Sequence, residues 1–287
     1  MTRALFARAY AKVNLSLDVL RRREDGYHDL RMVMQTVDLC DELTLMLTDE
    51  PEFAVRSNMR FLPEGADNLA AKAARVYYEA AGRRGGMRIL LHKRIPVGAG
   101  LGGGSADAAA VLRALGEKDG LGEGELLPLA LQCGSDVPFC LRGGTQLAEG
   151  RGERLTPLPA LPACSILLCK PPVSVSTRSV FTALTASKLT LHPDTEGLLR
   201  ALSNGSAGAV SRLMFNALEE TVAEKHRDVR AIHTAMIALG AAGAVMSGAG
   251  SAVAGLFLEE EMAREALSVL SAQYEETFLT RPVPAVL

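Results

Sequence analysis

The first clear pattern in the chain is a strict alternation of apolar and polar residues. Between residues 9 and 19 the odd positions are apolar, and the even positions are Tyr10, Lys12, Asn14, Ser16 and Asp18. Successive side chains of a β-strand point to opposite faces, so this alternation predicts a strand with one buried face. Lys12 and Asn14 share the polar face, and we expect both to project into one cleft.

Strands and helices alternate along the rest of the chain. Alanine-rich stretches with leucine or valine at spacings of three and four predict helices at residues 68–81 and 105–115, and a later helix from Glu259. Apolar runs predict further strands at residues 43–48, 87–92, 165–169, 252–258 and 277–280. This order of elements is typical of an α+β fold.

A connector divides the chain into two predicted domains. Pro157, Pro159 and Pro162 fall close together, and such a proline density is unfavourable inside a helix or a central strand. We therefore predict an amino-terminal domain over residues 1–155 and a carboxy-terminal domain over residues 163–287.

Charge and cysteine content exclude several classes of protein. The 31 basic and 33 acidic residues give a net charge of −2, which provides no cationic excess for nucleic acid. The five cysteines are an odd number without a C-x-x-C pair, which predicts reduced thiols in the cytoplasm or a plastid stroma. Neither the cysteines nor the histidines show metal-ligand spacing.

Two segments bear on membrane association. Residues 235–258 carry no charge, but five glycines and two serines interrupt them and disfavour a spanning helix. Arg3, Arg8 and Lys12 leave no apolar stretch long enough for a signal peptide. We therefore expect no membrane association.

Five glycines in the seven residues from Gly98 to Gly104 form a candidate phosphate-binding loop between a strand and a helix. Without Cβ atoms, the backbone can approach an anion closely, and the helix amino terminus adds free amides and partial positive charge. The lysine of a P-loop is missing, and no second strand ending in an acid supports a dinucleotide fold. A glycine turn that only packs a helix stays open as an alternative.

Several separated motifs resemble those of the GHMP small-molecule kinases. They are residues 9–15 with Lys12, the glycine loop, residues 134–139 with Asp136, and residues 247–251. Ala249 replaces a frequent serine and Cys140 a frequent aromatic residue, and we expect neither to affect the chemistry. The resemblance implies a two-domain α+β kinase that holds ATP, Mg²⁺ and a small-molecule substrate in the cleft between its domains.

The resemblance also implies roles for individual residues. Asp136 accepts the proton of the substrate hydroxyl, and Lys12 stabilises the transferring phosphoryl group. Two alternatives stay open, because Asp136 can cap a helix and Lys12 can be a solvated lysine on an exposed strand face. The residues expected to bind the nucleotide are Lys93, Pro96, Val97, Gly98, Ala99, Gly100, Leu101, Gly102, Gly103, Gly104, Ser105 and Ala106.

The string from Asp25 to Leu30 narrows the resemblance to one branch of the family. That branch phosphorylates the 2-hydroxyl of a methylerythritol unit carried by cytidine diphosphate, a step of non-mevalonate isoprenoid synthesis. The residues expected to bind this substrate are Asn14, Tyr27, His28, Thr177 and Phe181.

Several alternatives remain at this level. Tyr27 could pack on the core instead of stacking on a base. The substrate could be a sugar, homoserine or a mevalonate-type acid, or the chain could be a catalytically silent nucleotide-binding protein. The sequence is compatible with a monomer or a homodimer.

Overall fold

The computed structural model describes residues 4–184, 189 and 191–286. The strands are β1 (Leu5–Arg22), β2 (His28–Thr48), β3 (Phe53–Ser57), β4 (Gly86–His92), β5 (Thr145–Gly150), β6 (Arg154–Pro157), β7 (Ser165–Lys170), β8 (Phe215–Asn216), β9 (Gly243–Met246), β10 (Val253–Phe257) and β11 (Glu276–Thr280). The helices are α1 (Leu69–Ala80), α2 (Gly103–Asp119), α3 (Glu123–Cys133), α4 (Val137–Arg142), α5 (Thr177–Ala183), α6 (Thr195–Ser203), α7 (Ala207–Arg212), α8 (Glu219–Lys225), α9 (Arg227–Ala238) and α10 (Glu260–Ser271).

Two sheets organise the fold. The first has seven strands with the path β3-β4-β2-β1-β8, and β5 joins it by pairing with β2 and β6. The second has four strands in the order β11-β7-β10-β9. Helices α1, α2 and α4 pack against the first sheet, and α9 and α10 pack against the second. The predicted α+β fold is confirmed.

The predicted domain boundary lies where the chain passes from the first sheet to the second. Strand β6 ends at Pro157, and β7 begins at Ser165. Later parts of the chain nevertheless return to the first sheet, since β8 pairs in parallel with β1 and Pro282 bridges to Val37. The boundary between residues 155 and 163 therefore stays a prediction.

Both faces of β1 are buried, so the prediction of one buried face is wrong. Lys12 is 4% exposed, and Asn14 and Ser16 are fully buried. The apolar residues of β1 face the helices on the first sheet, whereas the polar ones lie beneath the glycine loop and residues 247–248. The period-two alternation in the sequence identifies an apolar and a polar face of β1, but it does not show which residues cover the polar face.

The uncharged segment 235–258 folds as the end of α9, then β9, a glycine-rich turn and β10. Within the stretches that the structure describes, no helix is long and apolar enough to cross a membrane. The glycines allow close packing here, because a Cβ on Gly243 would lie 2.0 Å from the Ser211 carbonyl oxygen.

Candidate active site

The glycine loop leads directly into α2. The helix begins at Gly103, two residues before the predicted start, because Gly102 adopts a left-handed conformation (φ 71°) and its carbonyl accepts the Ala106 amide at 2.8 Å. The amides of the first helical turn therefore have no partner inside the helix. They point out of the helix amino terminus, where its partial positive charge is located.

The carbonyl oxygens of the loop point into the protein. Five consecutive carbonyls, from Val97 to Leu101, accept hydrogen bonds of 3.0–3.3 Å. Their donors, in chain order, are the Ser174 hydroxyl, the amides of Val175 and Ala252, the Ser247 hydroxyl and the amide of Lys12.

The loop amides are left for a ligand. None of the amides from Gly98 to Ser105 donates a hydrogen bond to another described residue. Of the predicted nucleotide residues, Pro96 has no amide hydrogen, and the amide of Ala106 is used within the helix. A turn that only packs a helix does not require such a row of free donors, whereas phosphate oxygens do.

The loop also packs tightly around Lys12. A Cβ on Gly100 would lie 2.0 Å from the Ser247 carbonyl oxygen, and one on Gly102 would lie 2.9 Å from Cγ of Lys12. On the other side, a Cβ on Gly248 would lie 3.2 Å from the Lys12 Nζ. The ammonium therefore lies between the glycine loop and the turn that follows β9.

Lys12 is a buried cation without a carboxylate in hydrogen-bonding contact among the described residues. Its Nζ donates to Oδ1 of Asn14 at 2.5 Å. Burial lowers the pKa of Lys12, and the negative charge of Asp136 is the strongest influence that opposes this. Lys12 and Asp136, which lie far apart in sequence, thus act on each other electrostatically beside the loop.

Asp136 occupies the position before α4, but its side chain makes no capping hydrogen bond. The capping alternative is thus not what the structure shows, and the half-exposed carboxylate is free for other partners. Cys140, one turn further along α4, lies near both Asp136 and Lys12, and burial raises the pKa of its thiol to about 12. The thiol is therefore neutral at physiological pH.

Asn14 is placed as a partner of Lys12 and of the loop. Its backbone N–H donates to the Ser247 hydroxyl at 3.1 Å, and its side-chain Nδ2 contacts the Met32 sulfur at 3.4 Å. Asn14 has no exposed surface, and its side-chain oxygen accepts a hydrogen bond from the Lys12 ammonium. Its link to the cleft is therefore through Lys12. Its predicted contact with the substrate stays a prediction.

Lys93 lies beneath the loop rather than on its open side. Its Nζ contacts Oδ2 of Asp41 at 2.5 Å and Oδ2 of Asp107 at 2.8 Å. Asp41 also accepts the amides of Arg94 and Ile95, which lead into the loop. Burial disfavours the Lys93 charge, but Asp107 and Asp41 outweigh it and raise the pKa of Lys93. The geometry favours a role in supporting the loop over contact with the nucleotide.

The residues predicted to bind a base lie together at the start of β2 and on α5. The rings of His28 and Phe181 are 5.3 Å apart, and Thr177 lies one helical turn before Phe181. Tyr27, directly before His28, is 57% exposed, so packing on the core does not account for it. The structure thus places Tyr27 and His28 at one end of the first sheet, with Phe181 against His28 and Thr177 on the same helix as Phe181.

His28 has a free polar atom in this cluster. Its Nε2 is buried and has no hydrogen-bond partner among the described residues. Burial, reinforced by the charge of Arg22, lowers the pKa of His28, which keeps the imidazole neutral. A neutral imidazole offers one donor and one acceptor to a ligand.

Two groups of supporting residues were absent from the sequence prediction. Ser247 links β1 to the loop, since it accepts the Asn14 amide and donates to the Gly100 carbonyl. Its motif was recognised, and that was the signal available for its role. Asp41 and Asp107 gave no such signal, because an isolated acid in a strand or helix does not reveal a distant lysine.

Comparison with known proteins agrees with this geometry. The family model for the GHMP kinases N terminal domain matches residues 68–144, and that for the GHMP kinases C terminal domain matches residues 198–276. The chain belongs to the GHMP kinase family. Its fold and its loop thus define a small-molecule phosphotransferase that uses ATP.

Within that family, the chain is similar to 4-diphosphocytidyl-2-C-methyl-D-erythritol kinases. That of Geobacillus kaustophilus is 42% identical over 96% of each chain, and that of Acetivibrio thermocellus is 41% identical over 96% of this chain and 98% of its own. A crystal structure of 4-(cytidine 5'-diphospho)-2C-methyl-D-erythritol kinase superposes with a TM-score of 0.82 at 39% identity, covering 97% of this chain and 99% of the other. Homoserine kinase from Cytophaga hutchinsonii, at 21% identity and a TM-score of 0.76, covering 99% of this chain and 96% of its own, shares the fold.

The close approach at Gly100 generates a first prediction. Replacing Gly100 with Ala places a methyl group against the Ser247 carbonyl at a positive φ of 76°, so the loop must move. We expect the KM for ATP to rise at least about tenfold and thermal stability to fall, as measured by steady-state kinetics and thermal unfolding. Gly120→Ala is the control, because Gly120 also has a positive φ but has open space around it. Equal effects of the two substitutions would contradict the account of the loop.

The position of Lys93 generates a second prediction. Lys93→Met leaves two buried carboxylates without their cation, so the free energy of unfolding is expected to fall by about 3–5 kcal/mol in urea denaturation. Lys72→Met is the control, because the ammonium of Lys72, in the first turn of α1, donates to the Cys133 carbonyl and pairs with no carboxylate of the described residues. Normal stability combined with a raised KM for ATP would show instead that Lys93 contacts the nucleotide.

Proposed function

We propose that this chain transfers the γ-phosphoryl group of ATP to the 2-hydroxyl of 4-diphosphocytidyl-2-C-methyl-D-erythritol. The observation that carries the chemistry is the row of free loop amides beside a buried ammonium and a nearby carboxylate. The identity of the acceptor is supported by relatives of about 40% identity over nearly the whole chain that act on it.

The loop binds the phosphates of ATP through its amides. With the carbonyls of residues 97–101 turned into the protein, the amides of residues 98–105 face the opposite side. The first turn of α2 adds three of these amides and a partial charge of roughly +0.5. The residues predicted to contact the nucleotide through their backbone are therefore those of the loop itself.

Mg²⁺ is part of the proposal. The described chain contains no cluster of three or more His, Cys, Asp or Glu residues suited to a metal ion. Mg²⁺ bound with ATP does not need such a cluster, because phosphate oxygens and water supply most of its ligands. The partly exposed Ser105, in the first turn of α2, would offer a hydroxyl oxygen to such an ion. When bound with ATP, Mg²⁺ would supply positive charge to the transferring phosphoryl group.

Asp136 orients the acceptor hydroxyl and takes its proton late in the reaction. If the hydroxyl is about as acidic as water, full proton removal by an ordinary aspartate before transfer costs about 12 pKa units, or ~16 kcal/mol. That cost is too high for an early step. In a loose phosphoryl-transfer transition state the nucleophile forms little bonding at first, so early deprotonation is unnecessary.

Lys12 stabilises the charge that the phosphoryl oxygens carry during transfer. It is suited to this because burial removes competing water, while Asn14 holds the ammonium through an uncharged oxygen. A carboxylate in direct contact would balance the positive charge of Lys12 with a negative one, as Asp41 and Asp107 do for the protonated Lys93. The ammonium of Lys12 therefore keeps its charge available for the phosphates.

The cytosine ring of the substrate binds at the end of the first sheet, where Phe181 lies against His28 and Tyr27 precedes it in the chain. Aromatic rings provide stacking surfaces for a base, and the unpartnered Nε2 of neutral His28 provides a hydrogen bond to its polar edge. A homoserine, sugar or mevalonate-type acceptor has no group that requires such a cluster.

Location and assembly complete the proposal. All five cysteines are free, and burial raises the thiol pKa to about 11 or 12 in four of them, Cys133, Cys140, Cys164 and Cys169. Inert, unpaired thiols support a reducing compartment such as the cytoplasm. We propose a monomer or homodimer that has no need for nucleic acid.

Acceptor specificity tests the function directly. The purified protein with MgATP is expected to form ADP when 4-diphosphocytidyl-2-C-methyl-D-erythritol is added, and not with homoserine, galactose or mevalonate, as measured by a coupled ADP assay. ADP formation that depends on one of the other acceptors would overturn the substrate. Absence of turnover with every acceptor, despite ATP binding, would support a silent nucleotide-binding protein.

The electrostatic link between Asp136 and Lys12 yields a further prediction. Asp136→Asn is expected to lower kcat by at least about a hundredfold while MgATP still raises the Tm, because the base is lost but the phosphate loop is intact. Unchanged turnover would remove Asp136 from the mechanism.

The pH dependence of the same variant tests the link itself. Lys12 helps to bind ATP only while protonated, so its contribution fades as pH rises through its lowered pKa. Asp136→Asn removes the strongest influence that raises this pKa. The increase in Tm caused by MgATP is thus expected to fade at a lower pH in the variant than in the wild type. Coincident profiles would show that the two groups are not coupled.

A further inference from the structure

The turn between β5 and β6 carries a cation that no motif assigns. The guanidinium carbon of Arg151 lies 5.1 Å from the centroid of the Tyr27 ring, within the range of a cation–π contact. Arg151 is half-buried, so the residue is accessible to a ligand. The Arg151 end of this turn therefore lies over Tyr27, the residue that we propose stacks on the cytosine ring.

The other end of the turn lies against the residue that we assign to proton transfer. A Cβ on Gly152 would lie 3.6 Å from Oδ1 of Asp136 and 3.2 Å from the Met32 methyl carbon. Gly152 has a φ of +108° and is buried. Two consecutive residues, Arg151 and Gly152, thus span the path from Tyr27 to Asp136.

Contacts within the hairpin hold the turn in place. The Arg151 amide donates to Glu153 at 2.6 Å, and the Gly152 amide donates to the Glu149 carbonyl at 3.2 Å. The Glu149 carboxylate also lies 3.7 Å from Nε of Arg31 on β2. The backbone that carries Arg151 is therefore fixed without any use of its guanidinium.

That guanidinium forms no ion pair with any carboxylate in the described ranges. Asp25 is near enough for the Arg151 charge to act on it, but Asp25 pairs with Arg23 at 3.1 Å. Glu153 uses its carboxylate on the backbone amide of Arg151. The cation thus has a fixed backbone, an aromatic ring on one side and free donors on the other.

We propose that Arg151 binds the diphosphate of the cytidylyl substrate. This assignment rests on the proposed function. In that substrate the diphosphate lies between the base and the alcohol that is phosphorylated. The turn has the same order, since its Arg151 end lies at Tyr27 and its Gly152 end lies at Asp136. A planar guanidinium with several donors matches phosphate oxygens in a bidentate manner. The site therefore recognises the linker of the substrate as well as its base.

Two variants and a matched control test this assignment. In Arg151→Gln, the KM for the cytidylyl substrate is expected to rise about tenfold or more, with kcat and the KM for ATP little changed, because a charge-assisted hydrogen bond to the substrate is lost. Arg151→Lys is expected to recover part of the effect. Arg154→Gln is the control, because it removes an exposed arginine from the same hairpin.

Competitive inhibition at saturating ATP locates the lost contact. Cytidine and cytidine 5'-diphosphate are compared as inhibitors against the cytidylyl substrate. Arg151→Gln is expected to weaken the diphosphate about tenfold and cytidine hardly at all, and added salt is expected to weaken the diphosphate more in the wild type than in the variant. Tyr27→Ala is expected to weaken both inhibitors equally.

The other outcomes overturn the proposal in recognisable ways. Equal weakening of both inhibitors by Arg151→Gln would mean that Arg151 only supports the Tyr27 ring. A fall in kcat with an unchanged KM would place the guanidinium on the transferring phosphoryl group instead. No change in either quantity would leave Arg151 without a role. A wild-type protein that does not phosphorylate the cytidylyl substrate refutes the proposed function instead, since that result does not depend on Arg151.

Discussion

The proposed active site depends on the orientation of the backbone amides and carbonyls in the glycine loop. Because the carbonyls of residues 97–101 are all hydrogen-bonded to the protein, the amides of the loop face the cleft. The donors that hold the carbonyls come from β1, from residues 174–175 and from residues 247–252. The loop proposed to bind phosphate is therefore held by both halves of the chain, and loosening any of these contacts is expected to change the orientation of its amides.

Two buried lysines show how the surroundings of a charge determine its role. Lys93 stays protonated, and two carboxylates balance its charge. It therefore links Asp41 of β2 to Asp107 of α2, the helix that follows the loop. Lys12 contacts an amide oxygen, and the nearest acid acts on it only through its field. Burial makes either cation costly, and the charge that is not neutralised locally is the one available to a phosphoryl group. Asn14 and Ser247 support this arrangement, because they join Lys12 to the loop.

The substrate side follows from the strand pairing of the first sheet. Antiparallel pairing of β1 with β2 brings the turn at Tyr27 and His28 to one end, and pairing of β2 with β5 brings the hairpin turn at Arg151 beside it. Helix α5 adds Phe181 from the carboxy-terminal half of the chain. The order of these groups, from aromatic rings through a cation to Asp136, corresponds to a ligand with a base at one end and a hydroxyl at the other.

Much of this protein was readable along the chain. The period-two pattern of β1, the alanine-rich helices and the density of glycine before α2 depend on local backbone geometry. Helix α1 was predicted to within one residue at each end, whereas β1 and α2 extend two to four residues beyond their predicted bounds at each end. The short motifs around Lys12, Asp136 and Tyr27 indicated the family, because each is a distinctive string of neighbouring residues that can be recognised without the structure.

Contacts between distant segments were not readable in this way. The burial of the polar face of β1, the pairing of Lys93 with Asp41 and Asp107, and the approach of Arg151 to Tyr27 all join residues whose separation along the chain carries no pattern. Local periodicity determines which side of an element is apolar, whereas sheet order and helix packing determine which charges meet. The chain alone therefore established the fold class and the kind of chemistry. Folding in three dimensions decided which lysine is held by an amide oxygen beside the loop and which one is paired with two carboxylates beneath it.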